Sequence, residues 1–130
     1  MKVTKIYGCE GRGDGDEAYL TRYTLFENNR VKICIHVFHR SDSDELHDHP
    51  WNFVSLILWQ GYREQTHAGK SRKWPLMLLF RKAEHAHRVE LINGKKAVTL
   101  VVMGKRIRKW GFFTKQGWLD WNTYFYNNRC

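Results

Sequence analysis

Apolar and polar residues alternate with a period of two along several short segments, and no segment carries the i, i+3, i+4, i+7 repeat of a long helix. This pattern predicts a mainly β protein. Val31 to His39 (VKICIHVFH) sets Val31, Ile33, Ile35 and Val37 on one strand face and Lys32, Cys34, His36 and Phe38 on the other. Phe53 to Trp59 (FVSLILW) predicts the next strand, Gln60-Gly61 a turn, and Tyr62 to Thr66 a returning strand. THAGKSRK reads as a polar loop and Pro75 to Phe80 (PLMLLF) as a strand. RVELI, Asn93-Gly94 and KKAVTLVVM together predict a β-hairpin, because Asn-Gly readily supplies the two positive φ angles of a type I′ turn. Gly104 to Trp110 (GKRIRKW) alternates Lys105, Ile107 and Lys109 against Arg106, Arg108 and Trp110, as an edge strand protected by basic side chains would.

Seven or more short strands without an internal repeat or linker must close on one core, which leaves a sandwich, a jelly roll or a small barrel. A chain of 130 residues is the size of a single domain, 1–130. Its 42% hydrophobic and 27% charged content excludes a disordered chain. The N-terminal MKVTKIYGCEG lacks the apolar centre of a signal peptide and no apolar run is long enough to span a bilayer, so the expectation is a cytoplasmic protein without a membrane partner. Three cysteines without CxxC spacing, Cys9, Cys34 and Cys130, predict free thiols. The glycine-rich stretch Gly8 to Gly15 lacks the closing Gly-Lys-Ser/Thr of a P-loop, and Asp14 and Asp16 lack the ligand ladder of an EF-hand.

Charge divides unevenly. Residues 1–61 carry seven Lys/Arg against nine Asp/Glu, whereas residues 62–130 carry fifteen against four, a net +11. A basic surface of this kind attracts a small anionic substrate, a nucleotide or a nucleic-acid backbone.

The chemistry lies in the seven histidines, His36, His39, His47, His49, His67, His85 and His87. In ELHDHPW, Glu45 to Trp51, residues i and i+2 of an extended strand share a side, so His47 and His49 can present both rings to one interior point. His85 and His87 repeat the spacing, and one of them completes three nitrogen ligands if its strand lies opposite.

HDHPWNFVSLILWQGY resembles the first cupin motif, in which HxH is followed by an acid and then a glycine. RKAEHAHRVEL resembles the second, whose single histidine enters the same barrel from another strand. HDHPWNF, AxxAHRVEL and KWGFFTKQGW together are similar to small cupin-like proteins of bacteria and their phages. The resemblance implies an all-β, single-domain cupin, a small double-stranded β-helix or jelly-roll barrel. It implies metal ligands at His47, His49 and His87, with His85 as the alternative in the second motif, where Lys82 and Glu84 stand at the usual proline and glycine. The acid ligand of the first motif falls at Phe53 or Val54, so the fourth ligand is missing and Asn52 is the nearest polar candidate. Three histidines without that acid are similar to the site of thiol dioxygenases, which implies a mononuclear, oxygenase-like enzyme with Fe(II) favoured over Zn, Ni or Mn. A non-catalytic nucleotide or nucleic-acid binding protein and a metal-free sugar or nucleotide isomerase are the alternatives.

Candidate substrate contacts at the barrel mouth are Trp51, Tyr62, Arg63, Arg81 and Arg88. Arg81 ranks first, because it stands an even number of residues from His87 and a guanidinium binds carboxylate or phosphate bidentately. Arg106, Arg108 and Trp110 form a candidate anion or nucleotide face with Trp118 and Trp121. The tail WGFFTKQGWLDWNTYFY carries seven aromatic side chains before Tyr126, and these are expected to seal one end of the barrel or a homodimer interface.

Overall fold

A computed structural model describes residues 1–42 and 45–130. The chain builds twelve strands: β1 (Lys2–Tyr7), β2 (Ala18–Glu27), β3 (Lys32–Phe38), β4 (Leu46–His47), β5 (Phe53–Trp59), β6 (Tyr62–Thr66), β7 (Gly69–Lys73), β8 (Leu78–Arg81), β9 (Arg88–Glu90), β10 (Ala97–Met103), β11 (Gly111–Thr114) and β12 (Gly117–Asp120). One helix follows, α1 (Trp121–Asn128). Six strands form one antiparallel sheet in the order β1-β2-β3-β10-β5-β8. Two three-stranded sheets, β12-β11-β4 and β7-β6-β9, face it. His47 and His87 exchange two backbone hydrogen bonds of 3.0 Å, which join β4 to the β9 segment and make the two small sheets one wall of a jelly-roll barrel.

Two tight turns carry the chain from one wall to the other. Gln60-Gly61 and Asn93-Gly94 each place two consecutive residues at positive φ, between 53° and 77°. The Asn93-Gly94 turn closes with Lys95 N–H donating to the Ile92 carbonyl at 3.0 Å, as a type I′ turn requires. The hairpin expected around it does not form. β9 pairs with β6, while both edges of β10 are occupied by β3 and β5. Turn geometry is local, but pairing is decided by which strand offers a free edge.

Three further expectations are corrected. The stretch read as a loop at THAGKSRK holds β7, hairpinned onto β6. The basic run Gly104 to Trp110 is irregular rather than an edge strand, and its backbone folds over the His47–Trp51 segment: Ile107 N–H donates to the Pro50 carbonyl at 2.8 Å, and Gly104 N–H to that of Asn52 at 2.9 Å. Cys9 and Cys130 are not free thiols but a disulfide joining positions 121 residues apart, and only Cys34 stays reduced and buried among the described residues.

The interior begins with Ile57 and Ala97, both fully buried, packed with Tyr62, Leu79, Val89 and Leu91. Burying an isoleucine contributes roughly 1.5–3 kcal/mol. Toward the other end, Cys34, Val101 and Met103 pack with Trp51 and Phe53. The aromatic tail folds back as α1, where Tyr124 stacks on Phe112 with centroids 3.8 Å apart and Trp121 lies parallel to Trp110. These rings seal the end of the barrel next to β4. Among the described residues no helix is long and apolar enough to cross a membrane.

In β3 and β10 the face turned inward is the more polar one. Cys34 and His36, with Thr99 of β10 between β3 and β5, are buried, whereas Ile33, Ile35, Val37, Val98, Leu100 and Val102 are only half-buried on the outer surface.

Candidate metal centre

Backbone bonds place three imidazoles before any side-chain interaction is considered. His47 is held against His87 by the paired bonds described above, and His49 N–H donates to the Ala83 carbonyl at 3.0 Å. Asp48, between the two histidines, is itself buried and acts as an anchor: Oδ1 accepts from Gly111 N–H at 2.7 Å, and Oδ2 accepts from Trp118 Nε1 at 3.1 Å and pairs with Arg108 at 3.0 Å. The i, i+2 geometry therefore turns His47 and His49 to the same point and fixes the residue between them on the opposite side.

Ring centroids lie 5.1 Å apart for His47 and His49, 5.1 Å for His47 and His87, and 4.8 Å for His49 and His87. One nitrogen from each ring lies within 4.8 Å of the others, so the three could hold a metal ion. Trp51 stacks on His49 at 5.6 Å, Phe53 meets its edge at 4.7 Å, and Phe112 and Trp110 flank His47. Burial in this apolar surround holds His47 well below the ordinary histidine range, at about 4, although the Asp42 carboxylate facing its Nδ1 at 4.0 Å pulls the other way. Burial likewise lowers His49, as does the charge that His47, His87 and His85 would carry. Near neutral pH both rings are thus neutral, the form that binds metal. His49 Nδ1 is buried and has no hydrogen-bond partner among the described residues, an atom the fold leaves for another group.

Glu64, on β6, was not among the residues that the sequence pattern singled out. Its side chain is 3% exposed, and its Oε2 accepts from His87 Nδ1 at 2.7 Å and from His85 Nε2 at 3.2 Å. Arg81 forks onto the same carboxylate, Nη2 to Oε1 at 2.7 Å and Nε to Oε2 at 3.1 Å. Burial would raise the Glu64 carboxyl, but the hydrogen bonds from His85, His87 and Arg81 outweigh it and hold the group ionised. An ionised carboxylate only accepts, so His87 Nδ1 carries a proton, which leaves Nε2 as the ring nitrogen that could bind an ion. Glu64, His85 and His87 also lie close enough to hold an ion themselves. The Arg81 fork already occupies that carboxylate, which favours Glu64 as the support of His87. The signal in the sequence was weak: an acid in phase with the buried Tyr62 on one strand.

The remaining expected site residues separate. Trp51 lies at the centre, as does His85, whose ring is 5.3 Å from that of His87. Asn52 spends its side-chain oxygen on Ala83 N–H at 2.8 Å. Arg81 does share the inward side with His87, but its fork is filled by Glu64. Tyr62 is a core residue whose burial raises its phenol above the ordinary range. Arg63 and Arg88 lie on the outward phase of their strands and pair with Glu90 at 3.0 and 3.1 Å. Arg108 is bound to Asp48 and the His49 carbonyl, Trp110 packs among Phe112, Trp121 and Phe125, and Arg106 and Trp118 are exposed.

The chain has a cupin-like fold, a small, mostly β jelly-roll domain, and carries a histidine cluster that could bind a metal ion. No family model matches the chain, and no curated protein matches it in sequence. Solved structures do. A cupin-2 domain protein from Rhodospirillum rubrum superposes with a TM-score of 0.68 at 13% identity, over 89% of this chain and 77% of that one. A cupin 2 conserved barrel domain protein from Rhodopseudomonas palustris gives 0.68 at 14% identity, over 89% and 79%. The polyketide cyclase RemF from Streptomyces resistomycificus gives 0.66 at 16%, over 84% and 78%.

Proposed function

We propose that the chain is a mononuclear metalloprotein in which His47, His49 and His87 hold one divalent ion, iron(II) foremost, and that it acts as an oxygenase-like enzyme on a small anionic substrate. The convergence of three imidazoles, one of them oriented by Glu64, carries this reading. When bound, such an ion supplies Lewis-acid and one-electron chemistry; zinc, nickel and manganese suit the same nitrogen donors.

The chain's own residues set the conditions. Glu64 retains the proton at His87 Nδ1, and Asp42 faces the corresponding nitrogen of His47. Trp51 and Phe53 pack against His49 and keep bulk water from the rings. Beside His85, an open depression of about 390 Å³ is lined by Phe80, Arg81, Lys82 and Glu84. Lys82, beside the Glu64-paired Arg81, gives that approach a positive charge that draws an anion.

Elemental analysis of tag-free protein tests the reading, with His47→Ala and His87→Ala beside the wild type. One equivalent of metal, lost in both variants, is the expected result. Metal far below one equivalent and insensitive to either substitution would sink it. Oxygen uptake by the iron-loaded protein with a panel of small carboxylates then separates an oxygenase from a binding protein.

A further inference from the structure

On the small sheet β12-β11-β4, Phe112 and its register partner Leu119 face the barrel, so the next row turns outward. That row is Trp118, Phe113 and Leu46, each the register partner of the next. Phe113 is 37% and Trp118 40% exposed, although rings of this size normally bury. Both are nonetheless held in place. Trp118 donates its Nε1 proton to Asp48 Oδ2 at 3.1 Å, and the His67 ring meets Phe113 edge-on at 4.9 Å.

The chain around these rings is basic throughout. Between Gly104 and Leu119 it carries Lys105, Arg106, Arg108, Lys109 and Lys115 and no Asp or Glu. Arg108 reaches Asp48 Oδ2 at 3.0 Å, the atom that also holds Trp118, which puts a guanidinium next to the indole. Lys115 occupies the turn between β11 and β12, and Lys109 stands two positions before β11. Lys105, Arg106, Lys109 and Lys115 are exposed, and none of them pairs with a carboxylate among the described residues. Two rings of at most about 250 Å² each fall short of the roughly 800 Å² that a stable protein partner covers. Unpaired cations around flat, fixed rings instead match a polyanion whose own rings lie open. A single-stranded nucleic acid has a phosphate at every residue and an unstacked base beside it, whereas in a duplex the base faces are closed against each other.

We propose that the outer face of β11 and β12 binds single-stranded nucleic acid, with bases stacked on Trp118 and Phe113 and phosphates drawn by Lys109 and Lys115. The face lies outside the barrel, on the side of the strands opposite the histidine rings, and does not depend on the metal reading. The test is fluorescence anisotropy of a labelled mixed-sequence strand of about twelve nucleotides, alone and as a duplex, with the full-length, non-reduced protein. The wild type should prefer the single strand by about tenfold, and its affinity should fall steeply between about 50 and 200 mM salt. Phe113→Thr retains β propensity and should weaken binding at least about fivefold, whereas Phe113→Tyr retains the ring and should bind as the wild type does. Lys109→Gln with Lys115→Gln should lower the salt slope by about two. Lys2→Gln with Lys5→Gln makes the same charge change on β1 of the large sheet and should leave binding unchanged. All four lysines are exposed and unpaired, so these variants decide the matter even if Phe113→Thr does not fold. Absent binding at low salt, a duplex bound as tightly as the single strand, unchanged affinity in a folded Phe113→Thr, equal losses from the two lysine pairs, or displacement of the strand by polyglutamate at equal charge would each overturn the proposal.

Discussion

Glu64 Oε2 lies 2.7 Å from His87 Nδ1, and this one contact fixes the ring orientation and the tautomer of the third histidine of the cluster. The carboxylate is in turn clamped by Arg81, so the support of the ring is itself rigid.

Glu64→Gln should lower metal affinity by about ten- to a hundredfold, because an amide retains the shape but not the charge that holds the proton at Nδ1. Glu64→Leu should also destabilise the metal-free protein, by roughly 3–5 kcal/mol, since Arg81 is left buried without its partner. Competition with a chromophoric chelator reads the first effect and urea unfolding the second. Unaltered affinity in Glu64→Gln would remove Glu64 from the site.

Asp48 binds Gly111, Trp118 and Arg108 from between two histidines. Asp48→Ala leaves Gly111 N–H and Trp118 Nε1 without this acceptor and Arg108 with the His49 carbonyl in place of a carboxylate, and should cost about 3–5 kcal/mol in urea unfolding of the metal-free protein. Because β4 pairs with β11 through His47 and Phe112, metal affinity should fall with it. A loss confined to stability would show that His47 is placed by its bonds to His87 alone.

His36 is buried in the barrel, where it accepts a hydrogen bond from Arg22 Nε at 3.0 Å, and burial first, then Arg22 and Lys32, lowers its pKa to about 3. Its native form is neutral, while in the unfolded chain it binds a proton below about pH 6.5. Stability should therefore fall as pH drops below that value, by about 1.4 kcal/mol per unit from this group, until the native ring also titrates. Urea midpoints for wild type and His36→Gln across the acid range isolate the contribution. The difference between the two should narrow toward acid pH, and a constant difference would refute it.

The Cys9–Cys130 disulfide ties the turn at Glu10–Arg12 to the end of α1, where Glu10 N–H also donates to the Arg129 carbonyl at 3.1 Å. It closes nearly the whole chain, and Cys130→Ser or reduction should lower stability by about 2–5 kcal/mol. Thermal unfolding with and without reductant measures this. Wild type should respond to the reductant and Cys130→Ser should not.

Much of the site can be read along the chain because its signals are local. The HxH spacing of His47 and His49 is an i, i+2 relation on one extended segment, and a β-strand's two-residue period is enough to turn both rings the same way. His87 follows from a second motif with the same phase. The positive φ angles at Asn93-Gly94 are equally local, being a property of two residues. Glu64 and His87 are 23 positions apart, on strands that meet only because β6 takes β9 as its neighbour. Cys9 and Cys130 are 121 apart and carry no spacing signal at all.

The alternation in β3, β5 and β10 shows the division most clearly. Periodicity alone determined that Ile33, Ile35 and Val37 share one face and Cys34 and His36 the other, since successive side chains of a strand point opposite ways. Which face turns inward was decided by the closed barrel, where the histidine cluster, the Glu64–Arg81 pair and the disulfide-tied tail all have to meet. Periodicity sets relative orientation within a strand, whereas only packing against the other wall sets its absolute sense.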